Sequence, residues 1–214
     1  RDTINIYLQD SEFIGYARTE EEFDESMKRA EDFARGIMDI NKESERRVRI
    51  LTFPLSTRNI YKEGNSKRNK RSKEILRLLK EAGVERVYLG IESGSPTQLK
   101  RYGKGVTIEE HAKAVEILRK IGFVIEPGFI FFDSEATLEE LKQNIEFIEQ
   151  TELTETPSRL SGSLRIQAGS HFEKKFLENG FITESDFDLN NLCYVVDKSK
   201  YKDQTVAEIE TVFT

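Results

Sequence analysis

The feature that most limits what this chain can fold into is a unit that occurs twice. Leu78-Leu79-Lys80-Glu81-Ala82-Gly83 leads into Gly90-Ile91, and Ile117-Leu118-Arg119-Lys120-Ile121-Gly122 leads into Gly128-Phe129-Ile130. Each copy reads as a helix end, a glycine stop, a strand and a second glycine. Strands that alternate with helices pair in parallel through right-handed crossovers, so the repeat builds either a doubly wound sheet or a barrel. Runs rich in β-branched and aromatic residues place strands at Ile4 to Leu8, Val48 to Phe53, Arg86 to Ile91, Phe123 to Phe131 and Leu160 to Ile166. Thr19 with Glu22, Thr107 with Glu110 and Thr137 with Glu140 have the spacing of capping boxes and mark three helix starts. Ile75, Leu78, Leu79 and Ala82 form one apolar helix face, and Leu138, Leu141, Ile145 and Ile148 another. A complete eight-unit barrel takes about 250 residues. With 214 residues and these five strands, a barrel built here is partial.

After Gly169 the pattern changes. Phe172, Phe176 and Leu177 predict a short helix ending at Gly180, Asn191 to Val196 an extended segment, and Val206 to Phe213 a last helix. Residues 1–180 are therefore expected to form the barrel, and residues 181–214 a C-terminal extension packed on it.

Charge excludes some functions. Lys and Arg number 33 against 39 Asp and Glu, a net charge of -6, which removes any global electrostatic drive toward nucleic acid or an anionic membrane. A local patch could still act: Lys62, Lys67, Arg68, Lys70, Arg71 and Lys73 form a basic stretch, residues 62–73, that could grip phosphates or touch RNA, although most such runs are solvated faces. No apolar run reaches the roughly 20 residues of a membrane span, and no signal-peptide pattern opens the chain, so a cytoplasmic protein is expected. The single cysteine, Cys193, lies in an apolar stretch and reads as a buried structural thiol. His111, within a helix pattern, and His171, at a helix start, lack partners for nucleophilic chemistry and read as solvent-exposed helix residues.

Parallel α/β folds gather ligands at the C-terminal ends of their strands. Carboxylates recur there: Asp10 after the first strand, Glu92 after the third and Glu135 after the fourth. Together they could accept hydroxyls, amines or a metal, although a loop carboxylate is usually just solvated or a helix cap. Ser93-Gly94-Ser95-Pro96 also carries a cap and a proline at the first helical position, so a helix N-terminus could face an anion there.

Gly90-Ile91-Glu92-Ser93-Gly94-Ser95, followed by Leu99 and by Lys104-Gly105-Val106-Thr107, resembles a stretch of the radical S-adenosylmethionine (radical SAM) enzymes, in particular their methylthiotransferase-like and cobalamin-binding branches. Gly128-Phe129-Ile130-Phe131-Phe132-Asp133-Ser134-Glu135 resembles the family's G-x-I-x-G-x-x-E, with Phe132 in place of the second glycine. Leu8-Gln9-Asp10 and Ile166-Gln167-Ala168-Gly169-Ser170 are similar to two further family segments. The resemblance implies an α/β fold, a partial (β/α)6 TIM-like barrel of parallel strands, that binds S-adenosylmethionine at its C-terminal mouth and positions it for reductive cleavage to a 5′-deoxyadenosyl radical. By position, Glu92 would bond the ribose hydroxyls beside Ser93, Lys104 would pair with the methionine carboxylate, and Asp10 would lie near the methionine amine. Gly128 and the backbone at Ile130 would cradle adenine, with Ile166 on its face and Glu135 closing the motif. The family's [4Fe-4S] cluster is held by C-x-x-x-C-x-x-C, and no such motif is present here. The expectation is a core whose first strand and cluster ligands precede Arg1, inactive by itself, with its substrate open. The alternatives are a cluster-free (β/α) module that binds a ligand or partner, and a cluster-free barrel enzyme such as an aldolase or hydrolase.

Overall fold

The computed structural model describes residues 2–8, 13–15, 17–154, 160 and 162–213. In chain order its elements are β1 (Thr3–Tyr7), α1 (Glu20–Glu43), β2 (Arg47–Ser56), α2 (Ser66–Ala82), β3 (Val84–Glu92), α3 (Pro96–Arg101), α4 (Ile108–Ile121), β4 (Val124–Phe129), α5 (Leu138–Gln150), β5 (Ile166–Gln167), α6 (His171–Glu178), β6 (Phe187–Asp188), β7 (Cys193–Tyr194) and α7 (Gln204–Phe213). The contacts divide the chain into two compact units, one of Arg1–Ile91 with Lys104–Gly128 and one of Glu92–Gly103 with Phe129–Thr214.

The first unit holds the repeat. Its strands lie in the order β1-β2-β3-β4, with β1 parallel to β2 and β2 parallel to β3. Each strand sits beside its predecessor and the order never reverses, which is barrel winding; a doubly wound sheet would turn back at a switch point. The capping boxes at Thr19, Thr107 and Thr137 are all formed. Gly83 and Gly122 end α2 and α4 in the left-handed conformation, with φ of 103° and 94°, which costs glycine nothing sterically. α1 buries Phe23, Met27, Ala30, Ala34 and Ile37, one face at helical spacing. On α2, Ile75, Leu79 and Ala82 are buried as expected, whereas Leu78 is half-buried and Leu76 takes its place in the core. In β3 and β4 the alternation is visible on the open side, where the Arg86 guanidinium pairs with Glu126 at 3.0 Å.

The second unit has its own core. Phe132, Ala136, Leu141, Ile166 and Phe176 pack with Ile182, Tyr194, Val196, Tyr201, Val206 and Ala207. Residues beyond 180 thus share one core with residues 129–180. Cys193 is buried in β7, as its apolar setting predicts. The expected strand at Leu160 to Ile166 does not form as such. Instead Leu164 donates its N–H to the Phe132 carbonyl at 2.8 Å and Phe131 donates to that of Gly162 at 2.7 Å, with a single parallel bridge between Phe132 and Ser163. Regular pairing starts only at β5, which runs antiparallel to β7. Four polar or glycine positions among residues 161–165 leave little side-chain packing to support a longer strand. The apolar stripe of α5 is also rotated from expectation: Asn144 and Phe147 are buried, while Leu138 and Ile145 are 38% and 48% exposed. These two line an open groove of about 440 Å³ with Phe131, Ile209 and Phe213.

Candidate functional site

The site's central feature is a turn. At the end of β3 Glu92 adopts φ = 68°, a left-handed conformation uncommon for a residue with a side chain and held only where its surroundings over-determine it. Within the second unit those surroundings are specific. The Glu92 carbonyl accepts the Ile130 N–H at 2.7 Å. Ser93 is fully buried, its hydroxyl 2.6 Å from Gln98 Oε1 and 2.8 Å from Asn144 Oδ1 while it accepts the Ser95 N–H at 2.9 Å. The Gly94 N–H donates to Asn144 Oδ1 at 2.7 Å.

Gly94 is required by packing. A Cβ there would stand 2.4 Å from Phe147 Cβ and 2.9 Å from its Cγ. Gly94→Ala is therefore expected to cost about 2–3 kcal/mol, read as a lowered Tm; an unchanged Tm would show that α5 can step aside.

The turn is tied to a buried polar network. The Gln98 amide donates to Asp133 Oδ2 at 2.9 Å, and the Tyr102 hydroxyl and Arg101 guanidinium donate to the same oxygen at 2.6 and 2.9 Å. Arg101 also pairs with Glu140 at 2.9 Å. Burial alone would push Arg101 down, but the bonds to Glu140 and Asp133 outweigh it and hold the guanidinium protonated. Burial, reinforced by Asp133, pushes the Tyr102 phenol far up.

Other expected site residues fall out differently. Asp10 lies outside the described residues. Ser93 spends its hydroxyl inside the turn, on Gln98, Asn144 and the Ser95 N–H. The cap and proline of Ser93 to Pro96 do not present an open helix end: Ser93 and Ser95 are each 0% exposed, and Ser95 makes no side-chain cap bond. Glu135 bridges Lys175 at 2.8 Å and Lys202 at 2.6 Å. Burial would raise its pKa, but the two ammonium groups lower it overall, so it clamps α6 and the segment before α7. Ile166 is 1% exposed in the core of its unit. The Phe132 ring, 0% exposed, is core as well, and its backbone pairs with residues 162–164.

In the first unit Gly128 lies under Tyr88, where a Cβ would stand 2.5 Å from the hydroxyl oxygen. The Lys104 carbonyl accepts a bond from the Arg58 guanidinium. His111 is not a surface residue: it is 1% exposed, and its Nδ1 lies 2.6 Å from the Thr57 hydroxyl. His171 is exposed, as expected. Among the described residues no group of three or more His, Cys, Asp or Glu is placed to hold a metal ion, and no helix is long and apolar enough to cross a membrane.

A family model described as the radical SAM superfamily matches residues 2–148. The chain belongs to the radical SAM superfamily. The curated relatives are enzymes: it is 32% identical over 157 residues to the 4′-phospho-dehydrooxetanocin synthase of Priestia megaterium, covering 72% of this chain and 20% of that one. It is 27% identical over 123 residues to the bacteriochlorophyllide d C-8(2)-methyltransferase of Chlorobaculum tepidum, covering 56% and 27%. Among solved structures, the cobalamin-dependent S-adenosylmethionine radical enzyme OxsB superposes with a TM-score of 0.76 at 22% identity, covering 97% of this chain and 33% of that one. That likeness supports a barrel of the radical SAM type. This chain spans about a fifth of the length of the first relative and a third of the OxsB chain.

The residues missed at the sequence level are the ones that support the turn: Gln98, Asn144, Asp133 and Arg101. A signal for Asn144 exists, since it is a polar residue flanked by the apolar Leu141, Ile145 and Ile148. A polar residue inside an apolar helix face, if buried, needs partners.

Proposed function

We propose that this chain supplies the S-adenosylmethionine-binding part of a radical SAM core domain, with Glu92 as acceptor for the ribose hydroxyls. The observation that carries the reading is the left-handed Glu92 at the end of a parallel strand, in a turn held by a buried polar network. An ionised carboxylate accepts two hydroxyl donors well. Ile130, whose N–H is already bonded to the Glu92 carbonyl, offers its carbonyl edge to adenine, and Ile166 supports that wall from the core. Lys104 is assigned to the methionine carboxylate on the family resemblance, and within the first unit Gly128 keeps the backbone low beneath Tyr88. Asp10 is assigned to the methionine amine on the family resemblance alone. When bound, S-adenosylmethionine supplies the sulfonium that this family cleaves reductively.

The residues present do not fit a [4Fe-4S] cluster. Cys193 is the sole cysteine and is buried in β7, and such clusters take several thiolates. A [4Fe-4S] cluster would need thiolates that these residues do not supply.

Calorimetric titration of the chain with S-adenosylmethionine is expected to show saturable binding that Glu92→Ala weakens about tenfold or more, the effect of losing charge-assisted bonds to two hydroxyls. Absence of binding, or equal binding by the variant, removes the reading. Iron and sulfide added anaerobically should leave no cluster absorbance in either protein.

A further inference from the structure

The basic stretch of residues 62–73 does not behave as one surface. Arg71 turns to Glu31 at 2.6 Å, whereas Lys62 and Arg68 enter an open pocket of about 340 Å³, lined by Ala17, Arg18, Arg58, Lys62, Arg68 and Gly105. Four of these six residues are cations, and none of the six is acidic. They come from the loop after β1, the turn after β2, the start of α2 and the α3–α4 loop, so the fold collects them beyond the C-terminal ends of β1 and β2, where parallel sheets bind ligands.

The pocket is built rather than incidental. Arg68 stacks over the Phe23 ring at 4.0 Å and donates to the Arg58 carbonyl at 3.3 Å. Arg58 is fixed by the Lys104 carbonyl. Gly105, at φ = 57°, makes room for it: a Cβ there would stand 2.4 Å from Arg58 Nη2. Lys62 is held by Glu110 at 3.0 Å, and Glu20 stands 3.9 Å from Arg68. The guanidinium groups of Arg58 and Arg68 also act on each other. Burial lowers the Arg68 pKa, and the Arg58 charge lowers it further against the pull of Glu20. α2 also begins with Lys67 and Arg68 in its first turn and no acid there, so cations sit at the positive end of the helix dipole. Guanidinium forks match phosphoryl oxygens bidentately, and a dianion answers this charge better than a carboxylate.

We propose that this pocket binds the phosphoryl group of a small phosphate monoester and so anchors the substrate. That the monoester is a substrate rests on the radical SAM reading; that the pocket is a phosphoryl site does not. The neighbouring surface around Lys67, Lys70 and Arg71 is interrupted by Glu20, Asp24 and Glu74, and in a chain of net charge -6 this favours a small molecule over a nucleic-acid backbone, which needs a continuous basic track.

The test is calorimetry on the whole chain at constant ionic strength with inorganic phosphate, ribose 5-phosphate, ribose, S-adenosylmethionine and a single-stranded RNA oligonucleotide as probes. Saturable binding of phosphate and ribose 5-phosphate but not of ribose is expected. Arg18→Ala, at an exposed position, should weaken both about tenfold while leaving S-adenosylmethionine binding unchanged. Gly105→Ala, which displaces Arg58, should also weaken phosphate and ribose 5-phosphate binding. The proposal is overturned by no saturable phosphate signal, by variants that bind like the parent, by S-adenosylmethionine displacing phosphate, or by RNA binding more tightly than ribose 5-phosphate. Phosphate binding without S-adenosylmethionine binding supports the pocket while removing the cofactor reading; the reverse overturns the pocket alone.

Discussion

Asp133→Ala is expected to destabilise the protein by about 3–5 kcal/mol, the range for removing one partner from a buried charge network. Asp133 is 2% exposed, and one of its oxygens takes donors from Gln98, Arg101 and Tyr102. Its other oxygen accepts the Glu135 N–H at 2.8 Å. Alanine leaves a guanidinium with only Glu140, and a phenol and an amide without acceptors, in a largely buried region. Because Gln98 also touches Ser93 and Asn144, the loss should propagate to the Glu92 turn. Asp133→Asn, which retains an acceptor but not the charge, should lose less. Urea unfolding followed by circular dichroism measures both, since the chain has no tryptophan. A cost below about 1 kcal/mol for Asp133→Ala, typical of an exposed pair, would show that the network is solvated.

The second large effect is a pH dependence set by His111. Burial first, then the Lys104 charge, lowers its pKa from 6.5 to about 4, with Glu110 opposing. The folded protein keeps the ring neutral while the unfolded chain protonates it near 6.5. The contribution is therefore complete above that value and is lost as pH falls from about 6.5 toward 4, where both states become protonated. The span corresponds to about 3 kcal/mol. Unfolding free energies measured between pH 7 and 4 should fall by that order, beyond the change seen in His111→Phe, which has no ionisable group. Parallel curves for the two proteins would place the pH dependence elsewhere.

The parts of the fold legible in the sequence are those written locally. The three Thr-x-x-Glu boxes and the glycines at 83 and 122 act within one helical turn, so their residues alone specify them. The strands β1 to β4 were legible within a few residues, because each is a continuous β-favouring run. The strand expected at Leu160 to Ile166 was not, since pairing there depends on what Phe131 and Phe132 offer across space. His111 illustrates the same limit: its place on a helix was readable, but its burial against Thr57 belongs to packing between distant segments.

The candidate site divides in the same way. Glu92 and Lys104 stood out because they lie in contiguous motifs. Ser93 and Glu135 stood out too, yet their side chains are engaged inside the fold, with Gln98 and Asn144 in one case and with two lysines in the other. Sequence by itself determined the repeat, the helix ends, the family and the lack of thiolates for a cluster, because each of these is carried by residues adjacent or regularly spaced along the chain. Tertiary structure alone decided that Glu92 is left-handed, that Asp133 anchors its support, and that Arg18, Arg58, Lys62 and Arg68 line one pocket. Those facts depend on groups tens of residues apart, whose meeting is fixed by strand order and core packing rather than by any local preference.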